Sequence, residues 1–201
     1  MRSRIIRVAL CLTVVAVVVS TIAFGLRPAS QDESAVVGGS TSSPPARQVP
    51  AGRRPAPALA ALERQANQLL DGGVPAFRQR LTGLRGHPVV VNQWASWCGS
   101  CRYEFPFFQR LARRYRGAVA FVGVDSQDTR QDARRFIAEF PMPFPHYFDP
   151  DTAVARVFRG GQAWPTTAFY NRAGELTKTH VGAYATQAKL DEDIRRFAIG
   201  G

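Results

Sequence analysis

The sequence is poor in cysteine and histidine, with three of each among 201 residues. Cys11 lies in an apolar segment near the N terminus, so Cys98 and Cys101 are the only cysteines in the rest of the chain. A structural zinc site takes four cysteine or histidine ligands, and the histidines are scattered at His87, His146 and His180. We therefore expect no metal and no other cofactor. One isolated cysteine pair is more typical of a redox site than of a disulfide framework.

Lysine is almost absent, because Lys178 and Lys189 are the only lysines among 26 basic residues. Residues 1–57 carry seven arginines and two acidic residues, and the remainder carries nineteen basic and thirteen acidic residues. The basic residues of that larger part are interspersed with acidic ones and form no block. A nucleic-acid interface needs a clustered basic face. We therefore expect no nucleic-acid partner despite the formal charge of +11.

An uncharged apolar run extends from Val8 to Leu26, directly after three arginines at positions 2, 4 and 7. Its length is just sufficient for a helix that crosses a membrane. Basic residues on the N-terminal side place that end in the cytoplasm and the remainder outside. We therefore expect residues 1–26 to be an N-terminal transmembrane anchor. The alternative is a signal peptide that is cleaved near Ala23–Gly25, after which the protein is secreted.

Residues 27–57 are rich in proline, serine, alanine and glycine, and they show no apolar periodicity. Such a composition cannot bury enough apolar surface to fold, so this segment is predicted to be a disordered linker. The remaining residues, 58–201, are predicted to form the single folded domain of the chain.

The strongest chemical signal is the segment Trp97–Cys101, which reads WCGSC. It follows the β-branched run Val89–Val91, which is typical of a buried strand, and precedes an amphipathic stretch that is typical of a helix. If the helix begins near Cys98, its unpaired N–H groups and its dipole favour the thiolate form of that side chain. A thiolate is the form of cysteine that attacks disulfides.

The rest of the domain alternates between helical and strand patterns. Helical periodicity is present over residues 58–71, 98–116, 130–140 and 186–198, with a short helix or turn in 74–86 and a short helix capped by Asp149. Strands are predicted at 89–91, 118–124, 146–148, 166–170 and 175–181. This order predicts an α/β fold with a central mixed β-sheet and helices on both faces.

These residues resemble the thioredoxin-like superfamily, and more narrowly its membrane-anchored, extracytoplasmic TlpA/ResA-like branch. The resemblance covers about Leu59 to Ala198 and implies the thioredoxin fold. The segments that carry it are Trp94–Cys101, Glu104–Pro106, Val122–Asp125, Phe144–Pro145, Asp149–Pro150, Trp164–Thr166 and Gly174.

The resemblance implies roles for individual residues. Cys98 would be the exposed attacking cysteine, and Cys101 would be the more buried resolving cysteine. Pro165 would be a cis-proline beside the cysteine pair, although a trans turn proline is the alternative. The residues implied to bind the substrate are Trp97, Trp164, Pro165 and Thr166. Trp97 would be an apolar wall beside the sulfurs, and a core tryptophan is the alternative.

The proton acceptor for the resolving thiol is a separate question. Many thioredoxins have a buried acid six residues before the first cysteine, where this chain has Asn92. Glu104 resembles an acid near the active site of the TlpA/ResA-like branch and is a candidate catalytic residue. A solvated helix glutamate is the alternative. Ser100 replaces the second residue of the familiar Gly-Pro pair, and its hydroxyl could donate to a thiolate.

The resemblance implies a thiol–disulfide oxidoreductase that reduces disulfides of exported proteins, such as apocytochrome c. A membrane thiol-transfer protein would supply the electrons. Three alternatives stay open at this point: a disulfide-forming oxidase, a thiol peroxidase on the same fold, and a non-catalytic thioredoxin-like binding module.

Overall fold

The computed structural model describes residues 56–201. The predicted anchor at 1–26 lies outside the described residues, as does the predicted linker at 27–57 except for its last two residues. Within the part that is described, none of the helices combines the length and the apolar character needed to cross a membrane.

The described residues form six strands and six α-helices. The helices are α1 (Pro57–Glu63), α2 (Gly73–Gly83), α3 (Gly99–Arg114), α4 (Arg130–Glu139), α5 (Ala153–Val157) and α6 (Gln187–Asp193), and a π-helical segment follows at Ile194–Ile199. The strands are β1 (Leu69–Leu70), β2 (Val89–Trp94), β3 (Ala120–Ser126), β4 (His146–Asp149), β5 (Thr166–Tyr170) and β6 (Leu176–Val181).

The strands form one mixed sheet in the order β1-β4-β3-β2-β5-β6. The first four strands in that order are parallel to one another, whereas β5 is antiparallel to β2 and β6 is antiparallel to β5. Strand β2 therefore lies at the centre, and its carboxyl end leads directly into the cysteine pair. The predicted mixed sheet is confirmed.

Both faces of the sheet are covered, which explains the continuous apolar runs in the central strands. On one face, Val90 and Trp94 of β2 pack with buried residues of α3, α4 and α6. On the other face, Val89 and Val91 pack with buried residues of α1, α2 and α5. The predicted arrangement of helices on both faces is confirmed, and the cysteine pair belongs to the α3 face.

The prediction of a helix over 58–71 is wrong beyond Glu63, where α1 ends. Asn67 adopts a left-handed backbone conformation with φ 60°. Its N–H donates to Phe144 O at 3.0 Å, and its side-chain oxygen accepts from Met142 N at 2.9 Å. These contacts turn the chain so that β1 pairs with β4. Tertiary pairing therefore overrides the local helical spacing of the leucines.

Two other boundaries differ from the prediction. Asp149 is the last residue of β4 rather than an N-cap, since α5 begins at Ala153. Its carboxylate nevertheless accepts from Val154 N and Ala155 N at 2.8 and 2.9 Å, so it still satisfies the start of that helix. The closing helix is divided, because α6 ends at Asp193 and the π-helical segment continues the chain.

Candidate active site

The cysteine pair lies where β2 leads into α3. Cys98 is the N-cap of α3 and Cys101 lies in its first turn, with a disulfide bond of 1.97 Å and a Cα–Cα distance of 5.3 Å. Cys98 Sγ accepts from the Cys101 backbone N–H at 3.1 Å, which places the sulfur at the unpaired donors of the helix terminus. Cys98 is 5% exposed and Cys101 is fully buried. Cys98 is therefore largely buried and not exposed as the resemblance implies, although it is less buried than Cys101.

Ser100 connects the cysteine pair to the segment around Pro165. Its hydroxyl lies 3.4 Å from Cys98 Sγ and 3.5 Å from Trp164 O. The Trp164–Pro165 peptide bond is cis, as the resemblance implies. The structure therefore brings Pro165, 64 residues after Cys101 in the sequence, next to the disulfide.

The predicted substrate-binding residues differ in what they expose. Trp97 is 57% exposed, packs against Trp164 with ring centroids 5.3 Å apart, and donates from Nε1 to Gln127 O at 2.8 Å. It is an exposed wall of the site and not a core residue. Thr166 is buried, and its hydroxyl donates to Ala163 O at 2.9 Å. The surface beside Cys98 is therefore aromatic.

Glu104 is fully buried, so the alternative of a solvated glutamate is wrong. Its Oε1 accepts from Asn92 Nδ2 at 2.9 Å, and its Oε2 accepts from the Tyr184 backbone N–H at 3.0 Å. Burial raises the pKa of Glu104 to about 7, against the lowering effect of these two hydrogen bonds. Glu104 follows Cys101 by three residues on α3, so the two side chains share a helix face.

Asn92 is the link between this acid and the sheet. It is buried on β2, and its amide lies 3.5 Å from the Thr167 hydroxyl on β5 as well as against Glu104. The position that is acidic in many thioredoxins therefore supplies a donor here, and the carboxylate comes from α3. In this chain the titratable group lies on the same helix as Cys101.

Asp125 is a second buried acid, and it has no predicted role beyond its place in the segment Val122–Asp125 that carries the resemblance. This residue ends the apolar run of β3 and is fully buried, and within residues 56–201 neither of its oxygens has a hydrogen-bond donor. Burial, followed by the charges of Asp128 and Asp149, raises the pKa of Asp125 to about 9. Asp128 accepts from the N–H and the hydroxyl of Ser96, at 2.6 and 2.9 Å, and so holds the segment before the cysteine pair. An acid directly after a predicted buried strand was the available signal.

The Asp125→Asn variant is expected to become more stable than the parent protein as the pH rises from about 5 to about 8. Asp125 keeps its proton in the folded protein up to about pH 9, whereas the unfolded chain loses it near pH 4. The parent protein therefore loses unfolding free energy as the pH rises from about 4 toward 9. Asparagine stays neutral throughout, so the difference in unfolding free energy should grow by up to about 1.4 kcal/mol per pH unit. Denaturant unfolding of the oxidised proteins measures it. Parallel pH profiles for the two proteins would contradict a neutral Asp125.

A mixed sheet with helices on both faces, a cysteine pair at a helix N terminus and a cis-proline beside it define a thioredoxin-like protein. The chain belongs to the Redoxin family, whose model matches residues 55–194.

Individual relatives agree with this assignment. The chain is 32% identical over 114 residues to a thiol:disulfide interchange protein DsbE of Pseudomonas fluorescens biotype C, and the match covers 57% of this chain and 62% of the relative. It is 33% identical over 105 residues to a thiol-disulfide oxidoreductase ResA of Oceanobacillus iheyensis, and that match covers 52% of this chain and 54% of the relative. The chain thus spans less than two thirds of the length of these curated relatives.

Solved structures show the same fold. A putative thiol:disulfide interchange protein DsbE from Chlorobium tepidum is 30% identical with a TM-score of 0.53, and the match covers 58% of this chain and 83% of that one. A secreted Mycobacterium tuberculosis disulfide oxidoreductase is 25% identical with a TM-score of 0.51, and that match covers 58% of this chain and 86% of the other.

Proposed function

We propose that this protein is a thiol–disulfide oxidoreductase that uses the Cys98–Cys101 dithiol, and that it works in the direction that reduces partner disulfides. The observation that carries the proposal is the asymmetry of the pair. Cys98 lies at the helix N terminus and is slightly exposed, whereas Cys101 is buried on the same helix face as Glu104. The names of the DsbE and ResA relatives support the same chemistry.

The reaction takes place in two exchanges. The Cys98 thiolate attacks one sulfur of a partner disulfide, forms a mixed disulfide and releases the other partner sulfur as a thiolate. Cys101 then transfers its proton to ionised Glu104 and attacks Cys98 Sγ, which releases the second partner thiolate. The partner disulfide gains two electrons, and the Cys98–Cys101 dithiol loses them as it closes to a disulfide. The reverse sequence would oxidise partner thiols.

The proposal includes a location and partners. Residues 1–26 would anchor the protein in the membrane, 27–57 would form a tether, and 58–201 would lie outside the cytoplasm. The Mycobacterium tuberculosis relative is a secreted protein, which supports an exported site. Exported protein disulfides such as those of apocytochrome c would be the substrates, and a membrane thiol-transfer protein would reduce Cys98–Cys101 again.

The reduction potential of the cysteine pair, measured together with its redox state in cells, tests the direction of the reaction. We expect a potential close to that of thioredoxin, about −270 mV, and reduced thiols in growing cells. A potential near that of DsbA, about −120 mV, with a persistent disulfide would identify an oxidase instead. If the cysteine pair does not exchange with any dithiol buffer, the proposal of an enzyme is overturned and a binding module is favoured.

A further inference from the structure

Four large hydrophobic side chains are exposed among the described residues. They are Trp97 (57% exposed), Tyr103 (58%), Val181 (61%) and Ile199 (37%). Single exposed apolar residues are normal on a protein surface, but a group of them around one site marks an interaction surface.

The first three of these side chains lie around the cysteine pair. Trp97 directly precedes Cys98, and Tyr103 follows Cys101 by two residues on α3. Val181 is paired in the sheet with Thr166, the residue after the cis-proline. Ile199, in contrast, lies at the end of the π-helical segment. The exposed apolar area is therefore concentrated at the redox site.

Tyr103 is held in its exposed position by specific contacts. Its hydroxyl donates to Ala185 O at 3.0 Å, and its ring meets the Phe107 ring edge to face at 5.4 Å. Phe107 follows Tyr103 by four residues, so the two rings form a continuous strip along α3. Arg110 lies over the Phe107 ring at 5.5 Å, and its Nε donates to Gln187 Oε1 at 2.5 Å. It has no carboxylate within ion-pair distance in the described part of the chain.

This strip lies on the other side of α3 from the Trp97 wall. Trp97 is bound to Gln127, in the loop that precedes α4. Tyr103 is bound to Ala185, in the loop that precedes α6. Side chains of α3 contact Glu139 of α4 and Asp191 of α6 on different sides of the helix. Trp97 and the strip of exposed Tyr103 and half-buried Phe107 therefore lie on opposite sides of α3.

We propose that Tyr103 and Phe107 form a second contact surface for the polypeptide chain of the substrate, which rests on the function proposed above. The substrate would carry apolar side chains next to its cysteine, and an acidic residue beyond them would meet the guanidinium of Arg110, which has no carboxylate partner among the described residues. Trp97 and Trp164 contact the substrate polypeptide on one side of Cys98, and the Tyr103–Phe107 strip contacts it on the other side. A small disulfide such as glutathione disulfide is too short to occupy both surfaces.

The test compares three disulfides as substrates of the full-length protein. The first is a peptide disulfide whose cysteines are flanked by leucines and a glutamate, the second is the same disulfide with serines at those flanking positions, and the third is glutathione disulfide. Tyr103→Ala and Phe107→Ala should each raise KM for the leucine peptide about tenfold and leave kcat unchanged, since an aromatic side chain buries a large area. KM for glutathione disulfide should not change. Tyr103→Phe keeps the ring and should resemble the parent protein.

Ile199→Ala is the matched control, because it removes an exposed hydrophobic side chain away from the cysteine pair and should leave every KM unchanged. The surface is disproved if both alanine variants retain the parent KM for the leucine peptide, or if KM rises equally for glutathione disulfide. If KM for the leucine peptide rises as much in Tyr103→Phe as in Tyr103→Ala, the effect comes from the hydroxyl group and not from the ring. That result would also overturn the proposal.

Failure of the proposed function can be distinguished from failure of this inference. If the parent protein reduces none of the three disulfides, the oxidoreductase proposal fails. Binding of a leucine peptide with serines in place of its cysteines, measured by calorimetry with the parent protein and with Tyr103→Ala, still reports on the surface. Equal affinities would refute it.

Discussion

Replacement of Cys98 by alanine is expected to abolish reduction of insulin disulfides, which is the largest effect that we predict. Cys98 lies at the helix N terminus and is the less buried of the two cysteines. Apart from Cys101, which is fully buried, no other cysteine lies within residues 56–201, so no second sulfur can begin the exchange. Insulin precipitation in the presence of dithiothreitol, compared with the uncatalysed rate, measures the loss.

The Cys101→Ala variant separates the two steps and complements the experiment with Cys98→Ala. It retains the attacking sulfur but cannot resolve the mixed disulfide, so partner proteins should remain bound to Cys98 through a disulfide. Non-reducing gels of cells that express the variant should show adducts that disappear on reduction. If Cys98→Ala reduces insulin at the parent rate, the mechanism is disproved. An absence of adducts with Cys101→Ala would count against a protein substrate.

Replacement of Glu104 by glutamine is expected to slow the second exchange about a hundredfold, within the range that a positioned proton acceptor contributes. Glu104 accepts a proton only when it is ionised, and burial raises its pKa to about 7. The rate of the second step should therefore rise with pH through about 7 in the parent protein. In Glu104→Gln the rise around pH 7 should be absent, because glutamine does not titrate and cannot accept the proton.

Stopped-flow mixing of the reduced protein with a symmetrical aromatic disulfide resolves the two steps, because one coloured thiolate is released in each. The first release should be nearly unchanged in Glu104→Gln, since that carboxyl group shares a helix face with Cys101 and does not lie at the helix terminus. Glu139→Gln, an exposed glutamate of α4, is the control. A second step with the parent rate and pH profile in Glu104→Gln would show that Glu104 is only a buried structural acid.

Asn92 offers an independent test of the same assignment. Its hydrogen bond stabilises the ionised form of Glu104 and so lowers the pKa of that carboxyl group. In Asn92→Ala the pH profile of the second step should therefore move upward by about one unit, in keeping with the energy of a hydrogen bond to a charged group. A general loss of packing would lower the rate at every pH without moving the profile.

Much of the architecture could be predicted because the apolar patterns of the central elements agree with their tertiary environment. Val89–Val91 is apolar on both sides because both faces of the sheet are covered. The stripe of α3 predicts the face that carries Cys101 and Phe105 into the core. The patterns failed at Leu69–Leu70, where the left-handed turn at Asn67 and pairing with β4 overrule a helical spacing.

The sequence by itself determined the cysteine pair and the strand and helix that meet there, because these depend on residue types at short spacing. Only the tertiary structure decided which acids matter. Glu104 and Asp125 are isolated carboxylates in the sequence, and burial raises the pKa of both. The pKa of Glu104 also depends on donors from Asn92 on β2 and from Tyr184, which is 80 residues away along the chain. The exposure of Tyr103 was decided in the same way, since its partner Ala185 comes from a distant loop. Desolvation and long-range hydrogen bonds are properties of the folded chain, which a local pattern does not carry.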